Sequence, residues 1–224
     1  MDAFGGQGPR YHDRQHAGRV LADLVTEHPL LAGDRASIVL GLPRGGVVVA
    51  APVAEALHCP LDAVVVRKLG VPGRPELAMG AVAAVAGRLE VVWNPVVLAG
   101  TRVPDAELDA VLRREVAELR RRDEAYRGGR PPPVLEGTVA VLVDDGLATG
   151  ATMRAALAAV RRQRPADIVI AVPVGAPETC RALAREVDAL VCPSTPRTFH
   201  AVGQAYADFT PTSDAEVRDA LSTR

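Results

Sequence analysis

Aromatic residues are scarce in this chain: one tryptophan, three tyrosines and three phenylalanines among 224 residues. The core must therefore be aliphatic, and any cluster of rings stands out. Cysteine is equally rare. Cys59, Cys180 and Cys192 show no Cys-x-x-Cys spacing, which excludes the common zinc and dithiol motifs and is read as buried, reduced thiols. No apolar run approaches the roughly 20 residues that span a bilayer, and the amino terminus lacks an apolar signal core. An excess of either charge is also missing. Lys and Arg number 26 against 27 Asp and Glu, a net charge of −1, so no electrostatic case exists for nucleic acid or an acidic membrane. The expectation is a soluble, cytoplasmic protein with neither partner.

What the chain does have is a stretch from Thr138 to Met153, Thr-Val-Ala-Val-Leu-Val-Asp-Asp-Gly-Leu-Ala-Thr-Gly-Ala-Thr-Met. Val139 to Val143 is an unbroken apolar run rich in β-branched residues, as expected of a strand buried on both faces. Asp144 and Asp145 follow at its carboxyl end, where ligands collect in open α/β sheets. A small-residue loop then runs into a helix with Met153, Ala156, Leu157 and Val160 at a 3.6-residue period. Such a loop presents backbone N–H groups at the positive end of a helix dipole, which suits a phosphate dianion. Thr149 and Thr152 add hydroxyl donors, and Gly146 and Gly150 let the backbone close around the anion. Carboxylates beside a phosphate would repel it, so they need another partner. Vicinal sugar hydroxyls, as donors, supply one. The loop fits a phosphorylated ribose. It lacks the lysine of a Walker A loop.

These residues resemble the phosphoribosyl diphosphate (PRPP) binding motif of the type I phosphoribosyltransferases. The resemblance implies an α/β fold, a doubly wound parallel sheet flanked by helices, with a small C-terminal hood. It implies Mg-dependent transfer of phosphoribose from PRPP to a nitrogenous base, releasing diphosphate. Residues 144 to 152 (Asp144, Asp145, Gly146, Leu147, Ala148, Thr149, Gly150, Ala151, Thr152) would bind PRPP. Asp144 and Asp145 would hold the ribose hydroxyls and lie at the Mg2+. Two readings stand beside transfer: a silent PRPP- or nucleotide-sensing regulatory protein, and a PRPP or nucleotide hydrolase.

In chain order, residues 1 to about 12 read as glycine-rich and mobile. Asp13 to Glu27 reads as an amphipathic helix, with Asp13 as a cap and Arg14 in a surface ion pair. Ser37 to Leu42 is a second buried strand, leading through Pro43-Arg44-Gly45-Gly46 into a helix from Val47 to Leu57. Arg44 offers a fork of donors, and with Gly45 and Gly46 it resembles the loop that grips the diphosphate in the family. Leu61 to Val66 is a third strand ending at Arg67-Lys68, also expected at the diphosphate. Leu69 to Gly80, dense in glycine and proline, reads as a long loop. It resembles the family's mobile catalytic loop, with Lys68 neutralising leaving-group charge and Glu76 transferring a proton. Arg44, Lys68 and Glu76 are thus the candidate catalytic residues. A hairpin (81–85 and 89–93) and a long charged helix from Asp105 to Arg127 follow. The helix is a packing or dimer element, which leaves a homodimer open.

Asp167 to Pro173 and Val187 to Val191 complete the alternation of strand and helix, which implies a parallel sheet. The domain reading is a single unit over 1–224: core 14–93 and 134–192, inserted helix 104–127, hood 193–212. Phe199, Tyr206 and Phe209 crowd into the tail. By resemblance to the base-binding hood of the 6-oxopurine enzymes, Phe199 and Tyr206 would bind the base and Asp208 would lie near the metal. Those enzymes carry an aspartate where this chain has Ala148, which is closer to the adenine-type motif. The acceptor therefore stays open.

Overall fold

The computed structural model describes residues 10–32 and 35–222. The chain runs α1 (Arg14–Thr26), β1 (Ser37–Gly41), α2 (Gly45–Ala56), β2 (Leu61–Ala63), β3 (Val65–Val71), β4 (Arg74–Val85) and β5 (Arg88–Trp93). It continues through α3 (Pro95–Thr101), α4 (Asp105–Arg127), β6 (Val139–Val143), α5 (Ala151–Arg161), β7 (Asp167–Ala171), α6 (Pro177–Leu183), β8 (Ala189–Val191), a short 3-10 turn (Val202–Ala205) and α7 (Asp214–Ser222).

The aliphatic runs become a five-stranded parallel sheet of order β2-β1-β6-β7-β8. Its register is level at the carboxyl edge, with Gly41 beside Val143 and Val143 beside Ala171. Period-2 alternation gives every central strand two buried faces. Val39, Val141, Val143 and Val169 pack beneath α1 and α2, against Leu21, Val25, Val49 and Val53. Leu40, Leu142 and Ile170 face α5 and α6, against Met153, Leu157 and Leu183. Each such aliphatic side chain removed from water contributes about 1.5–3 kcal/mol, so the doubly wound core needs no aromatic ring.

Residues 61 to 66 do not form one strand. β2 ends at Ala63 in the parallel sheet, and β3 starts at Val65 in a separate three-stranded antiparallel sheet of order β3-β4-β5. Residues 69 to 80 are correspondingly not a loop but the body of the β3–β4 hairpin. Val71 pairs with Arg74 around Pro72-Gly73, with bulges next to Gly70. Gly73 sits at φ +75°, the conformation that makes glycine useful in the turn. This sheet is sandwiched. Val82 and Ala84 face α4 with Val65 and Leu69, while Ala83 and Val85 face α5.

The α4 helix matches its expected bounds. Its amino end carries Asp105 and Glu107, its carboxyl end carries Arg127, and Gly128 closes it in the left-handed conformation. The Arg127 guanidinium donates to Asp62 at 2.9 Å and to Asp123 at 3.1 Å, stapling the helix end to β2. Two elements were not foreseen. α3 is capped by Asn94. α7 begins with a Ser213–Glu216 capping box, a signature that the sequence carries.

The amino-terminal expectation divides. Residues 1–9 lie outside the described residues, but Tyr11 is 1% exposed. Its N–H donates to Ala205 O, its carbonyl accepts from Ala207 N–H, and its hydroxyl donates to Pro173 O at 2.8 Å. This segment is a strap that holds the C-terminal segment against the sheet's carboxyl edge.

Candidate functional site

The strand order reverses at β1. The chain leaves β1 for β2 on one side, then returns to place β6 on the other and continues outward through β7 and β8. The crevice beyond β1 and β6 is the topological switch point, where open α/β sheets bind ligands. Both glycine loops open there. The loop after β1 lies directly on the acid pair. A Cβ on Gly45 would fall 2.1 Å from Asp145 Oδ2, and one on Gly46 would fall 2.8 Å from Asp144 Cα and 2.9 Å from its Oδ1. Only glycine permits this approach, which seats the loop on the aspartates and leaves Arg44, the N-cap of α2, exposed.

In the second loop, Gly150 adopts φ +71° to start α5. The N–H groups of Ala148, Thr149 and Gly150 meet no protein acceptor among the described residues, and Ala148 and Thr149 are exposed. These are free donors at a helix N-terminus, the geometry that binds an anion. Ala148 O accepts from Thr179 Oγ1 at 2.6 Å, which fixes the loop from behind. Leu147 departs from its expected role as a PRPP contact. Its N–H donates to Val174 O, its carbonyl accepts from Ala176 N–H, and its side chain is 2% exposed in the core. It anchors the loop. Gly146 is buried beneath Val202, where a Cβ would come within 2.5 Å.

Asp144 Oδ1 accepts the Asp145 N–H at 2.8 Å. Asp145 Oδ2 accepts from Arg14 Nε at 2.9 Å, with only 12% of the arginine side chain and 18% of the aspartate exposed. The other oxygen of each carboxylate has no hydrogen-bond donor among the described residues. Burial raises both acids above the ordinary carboxylate range. For Asp144 the neighbouring Asp145 adds to the rise, whereas for Asp145 the Arg14 guanidinium opposes it. Arg14 is therefore not in a surface ion pair, as its place in an amphipathic helix suggested. Asp13 does cap α1, accepting from His16 N at 2.7 Å.

Other candidates separate by strand alternation. Arg67 shares the α4 face of β3 with Val65 and Leu69. Its Nε and Nη2 both donate to Glu115 Oε2, at 2.9 and 2.6 Å, so two of its donors are engaged by the long helix. Lys68 falls on the opposite, α5-facing side and is exposed. Glu76 is exposed near the hairpin tip. Neither hydrogen-bonds to the aspartates or the loop that opens α5.

Tyr206 is 5% exposed, between Tyr11 and Phe209 at ring separations of 5.6 and 5.0 Å, and its hydroxyl donates to Asp145 O at 2.6 Å. It supports the acid pair and offers no open face to a base. Phe199 packs, half-buried, against the same ring cluster. Asp208 Oδ1 accepts from Thr210 N at 2.9 Å.

Fold and site together define a doubly wound α/β protein with an acid pair and an anion-accepting loop at its switch point. The chain belongs to the phosphoribosyl transferase domain family, whose model matches residues 10–209. It is 48% identical over 207 residues to a Mycobacterium tuberculosis protein that carries the name of a phosphoribosyl transferase; the match covers 92% of this chain and 45% of that one. This chain thus spans less than half the length of that relative. The crystal structure of the protein TT1426 from Thermus thermophilus superposes with a TM-score of 0.80 at 45% identity, covering 95% of this chain and 97% of that one. A stretch of 74 residues, 33% of this chain and 41% of the other, is 45% identical to the bifunctional protein PyrR of Chloroflexus aurantiacus.

Proposed function

We propose that this protein transfers phosphoribose from PRPP to a nitrogenous base and releases diphosphate. The observation that carries the reading is the contact of the Gly45-Gly46 loop with Asp144 and Asp145, beside the free N–H groups that open α5. In this reading Asp145 Oδ1 and Asp144 Oδ2 accept the two ribose hydroxyls. Ala148, Thr149, Gly150 and Thr152 hold the 5-phosphate. Arg44 and Lys68 lie on the diphosphate side and stabilise its charge as the glycosidic bond lengthens. The transition state is oxocarbenium-like, so the protein's contribution is orientation and fixed charge. The β3–β4 hairpin takes the water-excluding role, with exposed Glu76 as the group that moves the base's proton.

No cluster of three His, Cys, Asp or Glu side chains that could hold a metal occurs among the described residues. Two carboxylates, each with one oxygen free, instead fit an ion that arrives on the substrate. Mg2+ keeps several waters and binds through one or two carboxylates plus phosphate oxygens. Asp144 and Asp145 would meet it there, and its chemistry is neutralisation of the diphosphate.

The test is calorimetric titration of PRPP with Mg2+, repeated with each common nucleobase, alongside an assay for released diphosphate. The expected result is PRPP binding that one base strengthens, and diphosphate release that depends on that base. Binding without turnover of any base would replace the reading with a sensor, and release without a base would replace it with a hydrolase. Absence of PRPP binding overturns it altogether.

A further inference from the structure

We infer that Arg14 is a positioning residue for the sugar-binding carboxylate of Asp145, an inference that rests on the phosphoribosyl reading of this site. Arg14 and Asp145 are 131 positions apart in the chain and meet at 2.9 Å. The guanidinium has three separate engagements. Its Nε donates to Asp145 Oδ2. Its Nη1 donates to the Thr210 carbonyl at 2.8 Å. Its central carbon lies 3.9 Å from the centre of the Phe209 ring. A charged group held on an edge, a corner and a face has little freedom left, and so neither does the carboxylate it holds.

The consequence is directional. Because Arg14 occupies Oδ2, the second oxygen of Asp145 is the one left for a ligand. The Asp145 backbone is fixed from the same side by the Tyr206 hydroxyl, at 2.6 Å from its carbonyl. The first glycine of the Arg44 loop rests on the ion pair itself, since a Cβ on Gly45 would come within 2.6 Å of Arg14 Nε as well as striking the carboxylate. One guanidinium therefore connects α1, the C-terminal segment, the acid pair and the Arg44 loop. The phosphate loop is outside this connection: it is anchored through Leu147 to Val174 and Ala176 and through Ala148 to Thr179.

That separation supplies the test. Ribose 5-phosphate and PRPP use both the carboxylates and the phosphate loop, whereas inorganic phosphate uses the loop alone. Calorimetry on the full chain should show Arg14→Met weakening ribose 5-phosphate and PRPP by about 10- to 100-fold, the range for losing a residue that orients a ligand-binding side chain. Inorganic phosphate should bind within about twofold of wild type. Arg14→Lys restores the charge but not the fork or the stacking plane, and should recover part of the loss. Asp145→Asn combined with Arg14→Met should cost no more than Asp145→Asn alone, the non-additivity of two groups acting as one.

Equal weakening of all three ligands, or an additive double variant, would make Arg14 a general structural residue and overturn the inference. Thermal melting accompanies each titration. If neither Arg14→Met nor Arg14→Lys folds, the role is structural and the inference is again overturned. A wild-type protein that binds inorganic phosphate but neither sugar phosphate overturns the phosphoribosyl reading and this inference together. Wild-type sugar-phosphate binding that survives intact in Arg14→Met overturns this inference alone.

Discussion

The acid pair should make the site a source of instability, and Asp144→Asn isolates that effect. Asp144 is half-buried next to a second carboxylate, and desolvation and the like charge both penalise its ionised form. Asparagine is nearly the same shape, and its Oδ1 can keep the 2.8 Å hydrogen bond from the Asp145 N–H. The substitution thus removes a half-buried like-charge contact without opening a cavity. Relief of this kind at a functional site is worth about 1 kcal/mol, or about 2–4 °C in Tm for a chain of this size. Turnover should be lost in the same variant, because an amide cannot replace the carboxylate at the sugar.

Asp145→Asn should behave oppositely. It takes the counter-charge from the Arg14 guanidinium, whose side chain is only 12% exposed. Breaking such a pair costs about 3 kcal/mol, and Tm should fall by roughly 6–12 °C. The pH dependence has a definite sign. Asp144 has a higher pKa folded than unfolded, so its penalty is complete above the folded value and disappears as pH falls through it towards the ordinary carboxylate range. The advantage of Asp144→Asn should therefore be largest near pH 8 and shrink on acidification. Differential scanning calorimetry across that range measures both variants. An Asp144→Asn protein that melts at or below wild type at pH 8 would refute the reasoning.

Three further outcomes follow from the same geometry. Gly45→Ala places a methyl 2.1 Å from Asp145 Oδ2 and should reduce kcat/KM by about 100-fold, the cost of displacing a site group by about an ångström; near-normal kinetics would show that the loop yields. Arg67→Met and Lys68→Met should split. The first removes a bidentate partner of Glu115 and should lower stability by about 1–2 kcal/mol with PRPP affinity unchanged, whereas the second should leave stability within about 0.5 kcal/mol and reduce turnover about 100-fold. Melting curves and steady-state rates on both variants check this. Burial pushes the Cys59 thiol up to about 11, so at pH 8 iodoacetamide should modify it about 100-fold more slowly than a free thiol, as followed by mass spectrometry of the native protein.

Much of the core was legible because its signals are local. Val139 to Val143 reads as a buried strand from its own composition, and the Asp144 to Thr152 loop reads as an anion cradle from its own glycines and threonines. The α4 helix declares both ends through Asp105, Arg127 and Gly128. The second sheet was not legible. Leu61 to Val66 looks like one apolar run, yet Val64 separates two strands that pair in different sheets, and nothing in the run marks the break. The glycines and prolines between Leu69 and Gly80 signal irregular backbone. Here they supply a tight turn at Pro72-Gly73 and bulges in a ladder that only the partner strand defines.

Arg67 and Lys68 look alike in sequence. They were separated by the face of β3 that each occupies, because one face packs on α4 and Glu115. Tyr206 offers a ring that could stack on a base, until Tyr11 from the other end of the chain covers it. Arg14 shows the limit most clearly. Nothing around it in sequence distinguishes it from a surface arginine on an amphipathic helix. The sequence by itself determined the acid pair, the small-residue loop that opens α5 and the parallel α/β core, since each is written in residues that touch their neighbours along the chain. Tertiary structure alone decided which cation meets which acid, because strand order brings together groups that stand far apart along the chain, as Arg14 and Asp145 do.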